Sequence, residues 1–591
     1  MYVERFLRMS RDYLCAPPGA LPPYGTARPL PHAAAFADPA ASAERLPEPR
    51  ISGRPYVSQR PISFDSQATN MIHASIFDFR SVPAACAARR TRVRLAPVRL
   101  APVAAATLVL LATASGVSTS ARAQTAPAAT AATPSPVAAE GSTSNAASPD
   151  AAKGTQADAA PTGVWDRATL FGDTGGVRTL LGNRGVTLSL QETSELFGNF
   201  SGGTRRGLAY DGATQFGLSV DTDKAIGLKG GQFFVDALQI HGHGITASHL
   251  STLQSVSGVE AEPTTRLWEL WYQQSFGDAF DVKIGQQSLD QEFIVSQYGS
   301  AFLNATFGWP VLPAADMPAG GPAYPLSSLG IRARYKVSDA VTVLGGVFDG
   351  NPAPGIGDAQ KLNGSGTRFN LHDGALFIAE LQYAIGQSPA AGAAQPASGL
   401  PGTYKLGFWY NNGRFADPRE GTDGLSLANP ASNGQQRMRH GNFSVYAVAD
   451  QMVWRPSPDA ARSIGVFARV MGAPGDRNAV DFSANAGVVM KAPFAGRDND
   501  SVGLALGYAD TGSHASAFDR DTGAATTPGY PVRTAETVVE ATYQYQVAPW
   551  WLVQADFQYF FRPGGGVPNP SAGGARIGNE AVAGVRTVLT F

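Results

Sequence analysis

Cysteine is nearly absent from this chain. Only Cys15 and Cys86 occur in 591 residues, and neither lies in the region expected to be mature. A disulfide framework and thiol chemistry are therefore excluded there. Charge is scarce too: Asp, Glu, Lys and Arg make up 16% of the residues, where about 25% is usual for a soluble domain. The two signs cancel, 46 basic against 47 acidic, leaving neither a basic footprint for nucleic acid nor an acidic tail. No apolar run reaches the ~18 residues of a membrane helix, and mean hydropathy is −0.10, so a helical membrane protein is excluded. No Ser/His/Asp elbow, P-loop or dinucleotide fingerprint stands in strand-to-helix context. The chain does not read as an enzyme, and no cofactor is implied. Metal signals fail as well. "HGHGITASH" carries His241, His243 and His249 in an expected loop without a fourth ligand. "DRDTG" (519–523) is a calcium-loop fragment without its distal Glu.

What is present begins with a leader. The run "APVAAATLVLLATASGV" (101–117) follows Arg89, Arg90, Arg92, Arg94 and Arg99, and precedes Ala121-Arg122-Ala123. Basic, apolar and A-x-A segments in that order make residues 101–123 the apolar and cleavage regions of a signal peptide, cut after Ala123. Residues 1–100 then read as an over-extended start or disordered leader, with the true start at Met71 or a nearby codon. Residues 124–164, rich in Ala, Pro, Thr and Ser, read as a disordered linker.

The texture changes from Trp165 onward. "GGVRTLLGNRG" fits one short amphipathic helix with Gly185 as its stop, and no convincing long helix follows. Instead, strands of period two succeed one another. In 403–411, Tyr404, Leu406, Phe408 and Tyr410 oppose Lys405, Trp409 and Asn411. In 550–561, Trp551, Val553, Ala555, Phe557, Tyr559 and Phe561 oppose Gln554, Asp556 and Gln558. About sixteen such segments can be placed, with boundaries uncertain by 2–4 residues. Short links ("SFGD", "SDA", "AP") alternate with long ones (241–265, 287–328, 349–374, 412–442, 510–534), departing from the rule at 385–402 and 472–479. Alternating short turns and long loops mark an up-and-down barrel. The fold class is all-β: a transmembrane antiparallel barrel of about sixteen strands over 165–591, preceded by a short helix. A soluble sandwich of that many strands would need crossovers or linkers that do not appear.

The faces follow from chemistry. One parity carries Leu, Val and aromatics towards lipid; the other carries charged and amide residues towards a lumen too wide for side chains to fill. Phe591 closes a run of that first parity and reads as the end of the last strand. The candidate lumen residues are Glu269, Arg332, Arg334, Lys405, Trp409, Glu540 and Asp556. The longest link, 287–328, is apolar for an exposed loop and is expected to fold inward and narrow the pore, with Phe293, Tyr298, Phe302, Asn304 and Trp309 as its candidate residues.

Several stretches together resemble the carbohydrate-selective porins of the OprB type: "LFGDTGGVRTLLGNRGVTL" (170–188), "RLWELWYQQ" (266–274), "FLNATFGWP" (302–310), "LPGTYKLGFWYNNGRFAD" (400–417), "ETVVEATYQYQVAPWW" (536–551) and "VAGVRTVLTF" (582–591). The resemblance implies an outer-membrane channel of a Gram-negative bacterium that passes sugars into the periplasm by diffusion. Its partners would be monosaccharides or small oligosaccharides, outer-membrane lipid, and barrel-assembly machinery reading Phe591. No nucleic acid is expected, and the oligomeric state stays open. A general small-solute porin and a plugged barrel acting as anchor or adhesin are the alternatives. Sugar hydroxyls want paired donors and acceptors, and sugar C–H faces want an aromatic platform, which is why charged wall residues and Trp409 are the candidates.

Overall fold

A computed structural model describes residues 163–386, 399–569 and 574–591. The leader, the signal peptide and nearly all of the linker lie outside the described residues. The rest is one closed barrel of sixteen strands, each hydrogen-bonded to its sequence neighbours and β1 to β16. The strands are β1 (Val186–Ser201), β2 (Gly207–Asp221), β3 (Gly231–Gly242), β4 (Thr264–Phe276), β5 (Phe280–Gln287), β6 (Ser328–Lys336), β7 (Val341–Asp349) and β8 (Ala375–Ile385). The second half comprises β9 (Gly402–Gly421), β10 (Gln436–Trp454), β11 (Ser463–Gly472), β12 (Val480–Lys491), β13 (Ser501–Thr511), β14 (Ala535–Ala548), β15 (Trp551–Phe561) and β16 (Glu580–Thr590). All pairs are antiparallel, and the seam sets Glu195 of β1 opposite Arg586 of β16.

Two-residue periodicity makes these strands, and closure lets them cross a membrane. Each strand pairs with a neighbour on both sides, so no edge faces hydrocarbon. Leu406, Phe408 and Tyr410 are exposed on the outside of β9, while Trp409 and Asn411, of the opposite parity, are buried. Among the described residues no helix is long and apolar enough to span a bilayer.

Two long-loop regions differ from expectation. Much of 412–442 is strand, because β9 and β10 continue as a projecting hairpin. There, ion pairs replace apolar alternation: Arg439 Nη2 lies 2.7 Å from Asp417 Oδ2 and Arg437 Nη1 2.7 Å from Glu420 Oε2. Within 510–534, where only loop was expected, a helix forms at Ser513–Ala525. It absorbs the calcium-loop fragment: Asp519 pairs with Arg533 and Asp521 with Arg419, each at 2.7 Å.

The short helix α1 (Val177–Asn183) lies where the sequence placed it, with none of its residues buried. It sits against the short-turn rim, not deep in the lumen. Leu170 N donates to Thr590 O (2.8 Å) and Phe591 N to Leu190 O (2.9 Å), Arg178 donates to the Phe591 carbonyl, and Phe171 packs on Phe591 at 5.3 Å. Phe591 thus ties the two ends of the described barrel together.

Candidate functional site: the pore lumen

Two loops enter the barrel: L2 (243–263) and L3 (288–327). A loop brings unpaired N–H and C=O groups, which must find partners once buried. Inward carboxylates of the wall supply the acceptors. Glu540 on β14 accepts from Leu303 N (2.6 Å) and Asn304 N (3.0 Å). Glu380 on β8 accepts from Ile294 N (2.8 Å), Asp450 on β10 from Tyr298 N (3.1 Å), and Glu269 on β4 from Ser288 N (2.8 Å). Glu536 does the same for L2, accepting from Leu253 N (2.8 Å) and Gln254 N (2.9 Å). Cations bind the carbonyls: Arg469 donates to Ile294 O and Phe307 O (both 3.0 Å), and Lys405 to Val295 O (2.8 Å). Such charge-assisted bonds are about twice as strong as neutral ones.

Apolar packing does the rest. Val582 breaks the alternation of the last strand by pointing inward. The loops explain it: Phe197, Val538, Phe560 and Val582 of the wall form one cluster with Ile245, Leu250, Val256 and Leu303. A larger cluster joins Leu344, Ile378, Trp409, Tyr446 and Met471 of the wall to Phe293, Ile294, Val311 and Leu312 of L3. Tyr298 lies so close over Gly465 that a Cβ there would stand 2.0 Å from its ring. Only glycine leaves room for that docking.

The candidate residues therefore separate into two groups. Glu269, Lys405 and Glu540 hold L3. Asp556 lies buried near Glu540 and accepts from Gln558 Nε2 (2.9 Å). Trp409, fully buried beneath L3 at 0% exposure, presents no ring face to a solute. On L3 itself, Phe293, Tyr298, Phe302 and Asn304 are buried against the wall, and Trp309 is half-buried, donating to Gly320 O (3.0 Å).

Arg332 and Arg334 belong to a different arrangement. They sit two residues apart on β6, and so on one face. Asp281 on β5 bridges them, bonded to Arg332 and 2.7 Å from Arg334 Nε. From L3, Glu292 bonds Lys283 and reaches Arg332, with 2.6 Å between Oε2 and Nε. Gln273 accepts from Arg332 (2.9 Å), and Lys283 lies 4.3 Å over the Trp271 ring. Three cations and two carboxylates thus form a crossbar where L3 meets the wall. Asp281, Lys283 and Glu292 were not picked out from sequence. The first two were legible, since they alternate with Phe280, Val282 and Ile284; Glu292 was not, because a loop has no parity.

Arg334 and Asp281 also line a cavity of about 910 Å3 that opens at the short-turn rim. Its other walls include Thr187, Ser219, Gln232, Gln273 and Gln382, rich in hydroxyl and amide groups. Among the described residues no group of His, Cys, Asp and Glu could hold a metal ion. His241 lies on the outer barrel face, and His249 is buried in L2.

The crossbar has a defined acid limit. Burial pushes the Glu292 carboxyl up, but Lys283 and Arg332 outweigh it and hold it down at about 2. A depressed carboxyl stabilises the docked loop fully above its unfolded value near 4.3 and loses that contribution as pH falls towards 2. Single-channel current through planar bilayers should therefore hold one open level from pH 7 to about 5 and become noisy below about 4 as L3 loosens. Asp290 and Asp316 on L3 behave oppositely, since burial raises both.

The profile of the carbohydrate-selective porins, OprB family, matches residues 205–591. This chain belongs to that family. Porin B of Pseudomonas aeruginosa is 28% identical over 460 residues, covering 73% of this chain and 92% of the relative. A putative porin, QuiX, of Acinetobacter baylyi is 23% identical over 460 residues, covering 72% and 94%. The high-pH structure of Pseudomonas putida OprB superposes with a TM-score of 0.61 at 24% identity, covering 72% of this chain and 99% of that one. The protein is an outer-membrane porin for passive diffusion of sugars. Its short-turn rim is periplasmic and its long loops are extracellular, as in bacterial barrels generally.

Proposed function

We propose that sugar crosses this porin past the Arg332–Asp281–Arg334 crossbar, narrowed by L3, and leaves through the hydroxyl- and amide-lined periplasmic cavity. The observation that carries this reading is the position of Arg334 and Asp281, which belong at once to the crossbar and to the cavity wall. Guanidinium donors and carboxylate acceptors side by side match the paired donor and acceptor character of a sugar hydroxyl. Because those charges are already paired to each other, a passing sugar gains little from displacing them, and exit stays fast. Glu269, Lys405 and Glu540 act through L3 without touching sugar, Asp556 stands beside Glu540 on the buried wall, and Trp409 is the floor on which L3 rests. Outer-membrane lipid covers the apolar outer face, and barrel-assembly machinery reads Phe591.

Liposome swelling with the refolded porin tests this reading. Glucose should enter fastest, with a disaccharide and an amino acid of similar size to glucose both lagging. Equal rates for all three would make it a general small-solute pore. No swelling from a correctly folded barrel would make it a plugged one.

A further inference from the structure

The charged side chains of the projecting β9–β10 hairpin divide into two sets. On its inner side each arginine has a carboxylate: Arg439 has Asp417, Arg437 has Glu420 and Arg419 has Asp521. On the outer side, the parity of the exposed Leu406, Phe408 and Tyr410 leads up β9 to Arg414, which is exposed too. The Arg414 side chain has no ion pair or hydrogen bond among the described residues. Its ladder partner on β10 is His440, also exposed. By simple alternation His440 would share the inward side of the buried Asn442. Gly441, at φ 71°, is the extra residue of a bulge between them, and the bulge turns His440 outward. Two contacts fix this bulge. Arg477 Nη1 donates to His440 O (3.2 Å) and Gly441 O (2.7 Å). The Tyr410 hydroxyl lies so close to Gly441 that a Cβ there would stand 2.8 Å from it. A guanidinium, an imidazole and a phenol are thus gathered on one face, and among the described residues no group accepts from any of the three side chains.

The level of this trio is set by the strand. From Tyr404, near the periplasmic end of β9, to Arg414 the chain climbs about 23 Å along the membrane normal, at ~3.3 Å per residue and a tilt of about 45°. The apolar band of an outer-membrane barrel is ~25 Å tall, so Arg414 stands at its extracellular edge. Below it runs a lipid-facing strip: Tyr410 pairs with Phe443 and Phe408 with Val445, all four exposed. We propose that this corner binds the phosphate of an outer-leaflet lipid, whose acyl chains lie along the strip. Phosphate supplies what the trio lacks, negative charge and acceptor oxygens for all three donors, and a guanidinium can take two of those oxygens in parallel. The strip selects the source. A free anion gains nothing from Phe408, Phe443 and Val445, whereas a phosphate-bearing lipid meets both halves of the site at once. The site stands outside the barrel wall, so it goes beyond sugar transport and is independent of the crossbar.

Native mass spectrometry of the folded porin in a mild neutral detergent tests this, with diphosphoryl lipid A, its phosphate-free form and inorganic phosphate as probes. The wild type should hold one diphosphoryl lipid A, at least tenfold more tightly than the phosphate-free form. Arg414→Leu/His440→Leu should weaken that binding at least tenfold, and Arg414→Lys should weaken it less. Arg206→Ala, which removes another exposed arginine at the extracellular rim, should bind as the wild type does. Heat-modifiable gel mobility reports the folding of each variant, and glucose flux should stay unchanged because these side chains lie outside the pore. Equal binding of the two lipid forms, binding unchanged in the double variant, or an equal loss in Arg206→Ala would overturn the inference. Displacement of the lipid by an equimolar amount of inorganic phosphate would overturn it as well, by making the corner a free-anion site.

Discussion

Arg332→Ala should shift the pore towards cations and impair it. Arg332 is the hub of the crossbar, 2% exposed, bonded to Asp281, Glu292 and Gln273. Without it Asp281 keeps only Arg334 and Glu292 only Lys283, and the crossbar loses one of its three positive charges. The two carboxylates are each left with one cation. They can be relieved by moving L3 or by recruiting a cation from the lumen. Reversal potentials in a KCl gradient across a planar bilayer should move towards the potassium potential, and glucose flux should drop. Arg332→Lys should recover only part of both, because an ammonium keeps the charge but cannot reproduce the planar fork. An unchanged reversal potential would place the crossbar off the permeation path.

Glu540→Ala should free the middle of L3. The carboxylate takes the amides of Leu303 and Asn304, and Asn304 in turn donates to Gln558 (2.9 Å). Each buried amide left without an acceptor costs about 1–3 kcal/mol, several times thermal energy. The barrel itself should survive, since its ladders do not involve this side chain. Expected results are chymotryptic cleavage at Phe302, which is resistant in the wild type, a larger and noisier conductance, and a disaccharide that no longer lags behind glucose. Glu540→Gln keeps acceptor oxygen and should lie between. A protease-resistant, unaltered channel would show that apolar packing alone holds L3.

The architecture was legible because a barrel repeats one simple constraint sixteen times. Each strand must be apolar outside and polar inside, and closure must satisfy every backbone group. Parity, turn length and the terminal Phe591 carry that information locally, so strand number, direction and inward face could all be read from the chain. Parity could also select the inward charged residues, but it could not tell what they meet. Glu269, Lys405 and Glu540 turned out to hold a loop, Trp409 to lie under it, and only Arg332 and Arg334 to share a crossbar with the open cavity. The difference depends on where L2 and L3 settle, and loop docking is decided by contacts between residues as far apart as Leu303 and Glu540. The β9–β10 hairpin and the helix at Ser513–Ala525 escaped for a related reason: ion pairs across strands and turns, such as Arg439 with Asp417, hold them without any apolar period. Sequence determined the barrel and which side of it is wet. Tertiary structure decided which wet residues are left for the solute, because burial and partnership are set by long-range packing.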